Sequence, residues 1–150
     1  MAERRNVLVL HGPNMNLLGF REVDIYGAST LAAVDEMIAK RANELRIEVR
    51  ILQSNHEGAL IDAIHEHREW ASGMVINPGG LAHTSVALRD AIAAVRIPCI
   101  EVHISNISAR EEFRQTSIVS GACQGVISGL GVAGYLLALE GVSALIEAQL

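Results

Sequence analysis

The chain has 150 residues, half of them apolar, with a mean hydropathy of +0.29 and a formal net charge of −5. This composition excludes a disordered chain, and an acidic balance without a basic run argues against nucleic acid or an anionic membrane as partner. The length fits a single domain over residues 1–150. The apolar surplus predicts subunit contacts, because large exposed apolar patches are rare on monomers.

The lengths of the apolar runs and the spacing of the two cysteines predict where in the cell the protein lies. No stretch approaches the ~18 apolar residues that span a bilayer, and the run at residues 7–10 is too short for a signal-peptide core. Cys99 and Cys123 are far apart and form no C-x-x-C pair, which predicts buried thiols in a reducing compartment. We therefore expect a soluble, cytoplasmic protein.

Apolar runs alternate along the chain with patterns of helical spacing. Strands are predicted at residues 7–10, 48–53, 74–77, 99–102 and 125–128. Helices are predicted at residues 31–45 (capped by Ser29 or Thr30), 58–69 (with Asn55 as a possible cap), 85–95 and 132–150. This alternation predicts an α/β fold of the flavodoxin-like, three-layer kind, a five-stranded parallel sheet with helices on both faces. One long irregular stretch, residues 11–29, is of a length that is uncommon in compact domains and often functional.

Polar residues follow four of the predicted strands. Ligands of open α/β sheets bind at the carboxyl ends of the strands, so these residues are expected to converge on one rim: Asn14, Asn16, and residues 53–57, 77–80 and 103–106. The set suits a small, hydroxyl-rich ligand, and backbone N–H groups at Gly79 and Gly80 are candidates to hold a carboxylate. For any single residue, a role in capping helices or closing turns stays open.

Several blocks of sequence occur together in one order. They read GPNMNLLG at 12–19, RE and IYG within 21–27, QSNHEG at 53–58, NPG and HTSVALRD within 77–90, EVHISN at 101–106, REEFR at 110–114 and GYLLAL at 134–139. Over nearly the whole chain they resemble the type II dehydroquinases. The resemblance implies a flavodoxin-like hydro-lyase that converts 3-dehydroquinate to 3-dehydroshikimate without a cofactor or metal ion. It further implies trimers within a dodecamer and an active-site lid at about residues 19–28.

The resemblance also implies roles for individual residues. The catalytic set would be Tyr26 as base, Arg21 as the cation beside it, His103 as general acid, Glu101 as the partner of His103, and Asn14 at the enolate oxygen. The substrate-binding set would be Asn77, Ile104 and Ser105 for the carboxylate, His83 and Arg114 for the ring hydroxyls, and Asp90 reaching into a neighbouring active site.

The residue types suit this chemistry. A tyrosine side chain is almost entirely neutral at pH 7, so a tyrosine base needs a nearby cation to stabilise its phenolate. Tyr135, the only other tyrosine, lies in an apolar helix. Glu101 and His103 are two apart in a strand and therefore share a face, where the carboxylate can hold the imidazole. Asp90 is predicted to point away from the core of its own helix, which fits a subunit contact or a solvated charge.

A Schiff-base mechanism is the main chemical alternative, and it needs a lysine in the site. Lys40 is the only lysine, and at ~100° per residue it lies opposite the Leu31 side of its helix. It is predicted to face solvent, which leaves the enolate route.

One glycine motif and two differences from the family pattern remain to be interpreted. GLGVAG at 129–134 fits G-x-G-x-x-G but lacks the strand and acidic residue that a dinucleotide site needs, so we expect a tight turn there. Val23 stands where relatives usually have proline, and residues 115–118 lack the family's histidines and tyrosine. The competing functions are a flavin-binding module without activity and a dehydratase of another polyhydroxy-keto acid. Biosynthetic and catabolic roles are equally compatible with these residues.

Overall fold

Five parallel strands form the centre of the protein, whose computed structural model describes residues 5–149. The strands are β1 (Arg5–His11), β2 (Ile47–Gln53), β3 (Gly73–Asn77), β4 (Cys99–His103) and β5 (Gly125–Ser128). Their order in the sheet is β2-β1-β3-β4-β5, the flavodoxin-like order. The predicted fold class is confirmed, and the order reverses between β1 and β3, where such folds bind ligands.

Helices connect the strands and cover both faces of the sheet. They are α1 (Val23–Tyr26), α2 (Leu31–Glu44), α3 (Glu57–Glu66), α4 (Val86–Val95) and α5 (Ala133–Ala148). Short 3₁₀ helices occur at Met15–Leu17, Gly79–His83, Ile107–Ala109, Glu112–Arg114 and Val119–Ala122. The predicted end of the last helix, residue 150, lies outside the described residues. Among the helices at residues 5–149, none has the length and apolar character to cross a membrane.

Two apolar clusters, one on each face, hold the layers together. Val7, Val9 and Val75 pack with residues of α2 and α5, while Leu8 and Leu10 pack with residues of α3 and α4. Because both faces are covered, β3 and β4 are buried at every position. This burial explains the unbroken apolar run at residues 74–76 of β3, while β4 also buries the polar Glu101 and His103.

Side-chain caps fix the start of two helices. The Thr30 hydroxyl accepts from the Ala33 amide at 3.2 Å, as predicted. Ser85 caps α4 in the same way, so this helix begins at Val86, one residue after the predicted start.

Three sequence predictions are wrong in detail. Asn55 does not cap α3, because that helix begins at Glu57 without a side-chain cap and the Asn55 oxygen instead accepts from the Asn14 backbone amide at 2.9 Å. The same helix ends at Glu66 rather than at residue 69. Cys99 is buried as predicted, but Cys123 is only partly buried.

Candidate active site

A cavity lies at the carboxyl ends of β1, β3 and β4, where the fold predicts a ligand. Nine of the eleven predicted site residues line it: Asn14, Arg21, Tyr26, Asn77, His83, His103, Ile104, Ser105 and Arg114. Its volume is about 120 Å³, below the roughly 300–1,000 Å³ of sites for drug-sized ligands. The cavity therefore suits a small polar molecule better than a flavin.

The phenol of Tyr26 is held by a cation that the sequence did not single out. Arg110 donates from Nη1 to the Tyr26 hydroxyl oxygen at 2.6 Å. The same guanidinium also donates to the Ser105 hydroxyl at 3.3 Å, which ties it to the loop after β4. Arg110 therefore places a positive charge in direct contact with the phenol oxygen.

Arg21 lies next to the same tyrosine in a different way. Its guanidinium carbon is 5.2 Å from the centroid of the Tyr26 ring, and the guanidinium also pairs with Glu22 at 3.4 Å. The Arg110 guanidinium carbon is equally far from the ring centroid, 5.2 Å, but of these two arginines it is Arg110 that donates to the hydroxyl. Two guanidinium groups therefore flank Tyr26, and Arg110 makes the hydrogen bond to its hydroxyl.

His103 and Glu101 form a buried pair, as their spacing on β4 predicts. His103 Nε2 bonds to Glu101 Oε2, and the two residues are 5% and 0% exposed. The other carboxylate oxygen of Glu101 accepts from the hydroxyls of Ser117 at 3.1 Å and Ser120 at 3.0 Å. Both oxygens are thus occupied, and a carboxylate held in this way keeps the proton on Nε2 and leaves Nδ1 for a ligand.

His83 lies beside His103 on the wall of the cavity. The two rings are stacked, with centroids 6.4 Å apart. His83 Nδ1 is 2.9 Å from the carbonyl oxygen of Thr116, an acceptor, so Nδ1 carries the proton and Nε2 is free to accept from a hydroxyl group. The backbone of residue 116, within the segment that departs from the family pattern, still performs this task.

The loop after β1 presents Asn14 to the cavity in an unusual conformation. Asn14 has a φ of 69°, in the left-handed region, which asparagine tolerates better than most residues. Gln53 and Asn55 support the loop: the Asn55 oxygen accepts from the Asn14 amide, and Gln53 donates to the Gly12 carbonyl at 3.3 Å. These two residues of the predicted rim therefore hold the loop and do not line the cavity.

Asn77, at the end of β3, has its side-chain amide fixed on both sides. Its Nδ2 donates to the Tyr135 hydroxyl at 3.0 Å, and its Oδ1 accepts from the Gly79 backbone amide at 3.1 Å. Of the two backbone amides predicted to be candidates for a ligand carboxylate, that of Gly79 is therefore occupied by Asn77, while Gly80 lines the cavity.

Some predicted residues lie elsewhere. Asp90 is exposed on α4 and Asn16 is exposed after β1, and neither lines the cavity. Lys40, the chain's only lysine, is exposed on α2 as predicted and is likewise not among the lining residues. Within the described part of the chain, no three His, Cys, Asp or Glu side chains are grouped so as to hold a metal ion.

Sequence reasoning missed Arg110, Ser117 and Ser120 as site residues. Arg110 belongs to the REEFR block, which marks it as part of the resemblance without assigning a role. Its contact with Tyr26 joins residues 84 apart in the chain, and no local spacing rule reports such a contact. The two serines lie 16 and 19 residues from Glu101 along the chain.

The fold and the cavity together define a class: a flavodoxin-like α/β protein whose carboxyl edge carries a tyrosine–arginine pair and a histidine–glutamate pair suited to acid–base chemistry. Comparison with known proteins identifies the family. The family described as dehydroquinase class II matches residues 5–143. The chain belongs to this family of type II dehydroquinases.

Individual relatives agree over most of their length. A 3-dehydroquinate dehydratase of Halothermothrix orenii is 56% identical over 141 residues, 94% of this chain and 95% of the relative. One from a Nostoc species is 55% identical over 139 residues, 93% and 95% of the two chains. The crystal structure of type II dehydroquinase from Butyrivibrio crossotus superimposes with a TM-score of 0.92 at 45% identity, covering 94% of this chain and 99% of that one. That from Propionibacterium acnes gives 0.91 at 40%, covering 96% and 99%.

Proposed function

We propose that this chain is a 3-dehydroquinate dehydratase that eliminates water from 3-dehydroquinate to give 3-dehydroshikimate, by the anti elimination that the family resemblance implies. Family membership and the names of relatives above 50% identity support the activity. The structure supports a route through an enolate, because a tyrosine beside two arginines lines the cavity and the single lysine does not.

The first step is removal of a proton from the carbon next to the ketone. Tyr26, as phenolate, takes that proton, and the electron pair of the broken C–H bond forms the enolate. The Arg110 guanidinium on the phenol oxygen stabilises the phenolate before the transfer. Arg21 adds positive charge at the ring. Asn14, which lines the cavity from the loop after β1, is assigned to the enolate oxygen, which amide donors stabilise.

The second step is loss of the hydroxyl on the β carbon. The enolate electrons form the new C=C bond as the C–O bond breaks, and His103 supplies a proton from Nδ1 so that water leaves. Glu101 stabilises the imidazolium form before the transfer and keeps the remaining proton on Nε2 after it. Every atom is accounted for without an oxidant, reductant or cofactor.

The remaining cavity residues bind the substrate. We assign the carboxylate to the Asn77 side chain and to Ile104 and Ser105, at the loop after β4. His83, whose Nε2 is free to accept, and the guanidinium of Arg114 are assigned to ring hydroxyls.

Residues 19–28 act as a lid in this proposal, within one catalytic domain that spans residues 1–150. The segment starts at Gly19 (φ 90°) and contains Gly27 (φ 85°), two positive φ values that bracket α1. Helix α1 contributes no fully buried residue and packs against the core through Tyr26, which is only partly buried, so moving it costs little packing. Closure over the substrate would exclude water and bring Tyr26 to the substrate carbon.

We further propose a homo-oligomer, trimers within a dodecamer in the cytoplasm, in which Asp90 reaches a neighbouring active site. Asp90 is exposed on α4 together with Val86, whose side chain is 57% exposed. A mixed apolar and charged patch of this kind suits a subunit contact.

The observation that carries the function is the convergence of Tyr26 with Arg110 and of His103 with Glu101 on one small cavity. The test is an assay of purified protein with 3-dehydroquinate, followed by the absorbance of the enone product. Turnover is expected with 3-dehydroquinate, and turnover only with another polyhydroxy-keto acid in the same panel would overturn the assignment. Borohydride added with substrate is expected to leave activity intact, since no imine forms.

A further inference from the structure

A chain of hydrogen bonds runs from the surface of α2 to the cavity. Asp35 on α2 bonds through Oδ1 to His11 Nε2 at 2.8 Å. His11 Nδ1 lies 3.0 Å from the Tyr135 hydroxyl, and that hydroxyl accepts from Asn77 Nδ2 at 3.0 Å. His11 and Asn77 are direct neighbours in the sheet, at the ends of β1 and β3.

The direction of each bond follows from the chemistry of its ends. The Asn77 NH₂ group can only donate, so the Tyr135 oxygen accepts from it. The Asp35 carboxylate can only accept, so His11 carries a proton on Nε2. The Tyr135 O–H then donates to His11 Nδ1, which it faces at 3.0 Å. All donors point one way, from Asn77 towards Asp35, and each of these four side chains has a hydrogen-bond partner.

Burial makes this arrangement rigid. His11 is 0% exposed and Tyr135 is 1% exposed, so an alternative orientation would leave an unpaired polar group in an apolar layer, at a substantial cost. Burial also raises the pKa of the Tyr135 phenol well above its usual value, an effect that the Asn77 hydrogen bond reduces and the Asp35 charge adds to. The hydroxyl therefore keeps its proton and remains a donor to His11.

We propose that Tyr135, His11 and Asp35 are positioning residues that set the orientation of the Asn77 amide in the substrate site. Asn77 Oδ1 is occupied by the Gly79 amide and one Nδ2 hydrogen by Tyr135, which leaves the second hydrogen of Nδ2. Met15 Sδ, 3.5 Å from Nδ2, is a weak acceptor that a substrate oxygen can replace. The series of hydrogen bonds thus leaves an Asn77 N–H donor facing the bound ligand. This role rests on the proposed binding function of Asn77.

The first test is Tyr135→Phe, measured by steady-state kinetics. An amide that only binds the substrate contributes equally to the ground and transition states, so its misorientation raises KM and leaves kcat unchanged. We expect KM to rise about tenfold with kcat within about twofold, the size expected from one lost hydrogen bond. A role in folding alone would lower the melting temperature and leave KM at the wild-type value, and that result would overturn the proposal.

A double-mutant cycle with Asn77→Ala separates this proposal from the assignment of Asn77 itself. If Tyr135 acts through Asn77, the KM of the double variant equals that of Asn77→Ala, because the two effects do not add. Additive effects would refute the positioning role. An unchanged KM in Asn77→Ala would instead overturn the binding role of Asn77, and with it the basis of the inference.

Asp35 provides a test at the other end of the chain, where folding is at less risk. Its side chain is 35% exposed, so Asp35→Ala should fold even if Tyr135→Phe does not. We expect about a threefold rise in KM, on the order of half the free energy of one hydrogen bond. Asp35→Asn should restore the wild-type KM, since its amide oxygen still accepts from His11. Glu36→Ala, at the next, exposed position on α2, is the matched control. Equal KM values for Asp35→Ala and Glu36→Ala would overturn the proposal.

Discussion

The two halves of the site are built in different ways. Tyr26 lies on α1, a single turn without buried residues, and its hydroxyl is held by one arginine from a distant loop. His103 lies in the sheet, and its partner Glu101 is fully buried and bonded through both oxygens. The position of the proposed general acid is therefore fixed by the sheet, whereas the proposed base lies on a surface segment. Changes on the base side should therefore affect turnover alone, and changes on the acid side should affect turnover and stability together.

Replacing Tyr26 with phenylalanine should have the largest effect on turnover. We expect kcat to fall by roughly 1,000-fold, within the range for loss of a general base, while the melting temperature stays close to wild type because α1 buries little. Enone absorbance and a thermal melt measure the two quantities. Activity within tenfold of wild type would remove Tyr26 as the base.

Replacing Glu101 with glutamine should lower both turnover and stability. The oxygen of the new amide can still accept from the two serine hydroxyls, but its NH₂ group then faces the Nε2–H of His103 and cannot accept that proton. We expect kcat to fall roughly 100-fold and stability to fall by about 2 kcal/mol, the cost of an unsatisfied buried group. Urea unfolding measures the stability, with Ser120→Ala as a milder control. Wild-type stability in Glu101→Gln would contradict the buried network.

Comparing Arg110→Ala with Arg21→Ala tests which cation supports the base. A hydrogen bond to a charged group is worth about 2 kcal/mol, which corresponds to roughly 30-fold in rate, and we expect that loss in kcat for Arg110→Ala. Arg21 contacts only the ring, so its replacement should cost about fivefold or less. A larger loss of kcat for Arg21→Ala than for Arg110→Ala would show that, with substrate bound, Arg21 and not Arg110 supports the base.

The smallest expected effect is a pH-dependent change in stability that comes from the buried Tyr135. Its pKa is raised by burial in the folded protein above the usual value of 10.0, so the unfolded chain loses its phenol proton first as the pH rises. The stability that this group contributes is complete below about pH 10 and declines above it, by about 1.4 kcal/mol per pH unit. Urea unfolding from pH 8 to pH 11 should show the advantage of wild type over Tyr135→Phe shrinking in that window. A constant difference would argue against a buried neutral phenol.

Much of the fold was predictable because its signals are local. The alternation of apolar runs and helical patterns placed all five strands, and β5 (Gly125–Ser128) was predicted with its observed bounds. The caps Thr30 and Ser85 act within three residues of themselves. Asn55 was misassigned because an asparagine near a helix start has the same local pattern whether it caps the helix or, as here, supports a loop 41 residues away.

The sequence by itself determined the fold class, the rim of the sheet where ligands bind, the pairing of Glu101 with His103 and the outward direction of Lys40, since each follows from the period of a strand or a helix. Only the tertiary structure decided that Arg110 contacts the Tyr26 hydroxyl, that Ser117 and Ser120 hold Glu101, and that His11 and Tyr135 connect Asp35 to Asn77. These contacts join residues far apart in the chain, and their geometry depends on how the layers pack, which no local period encodes.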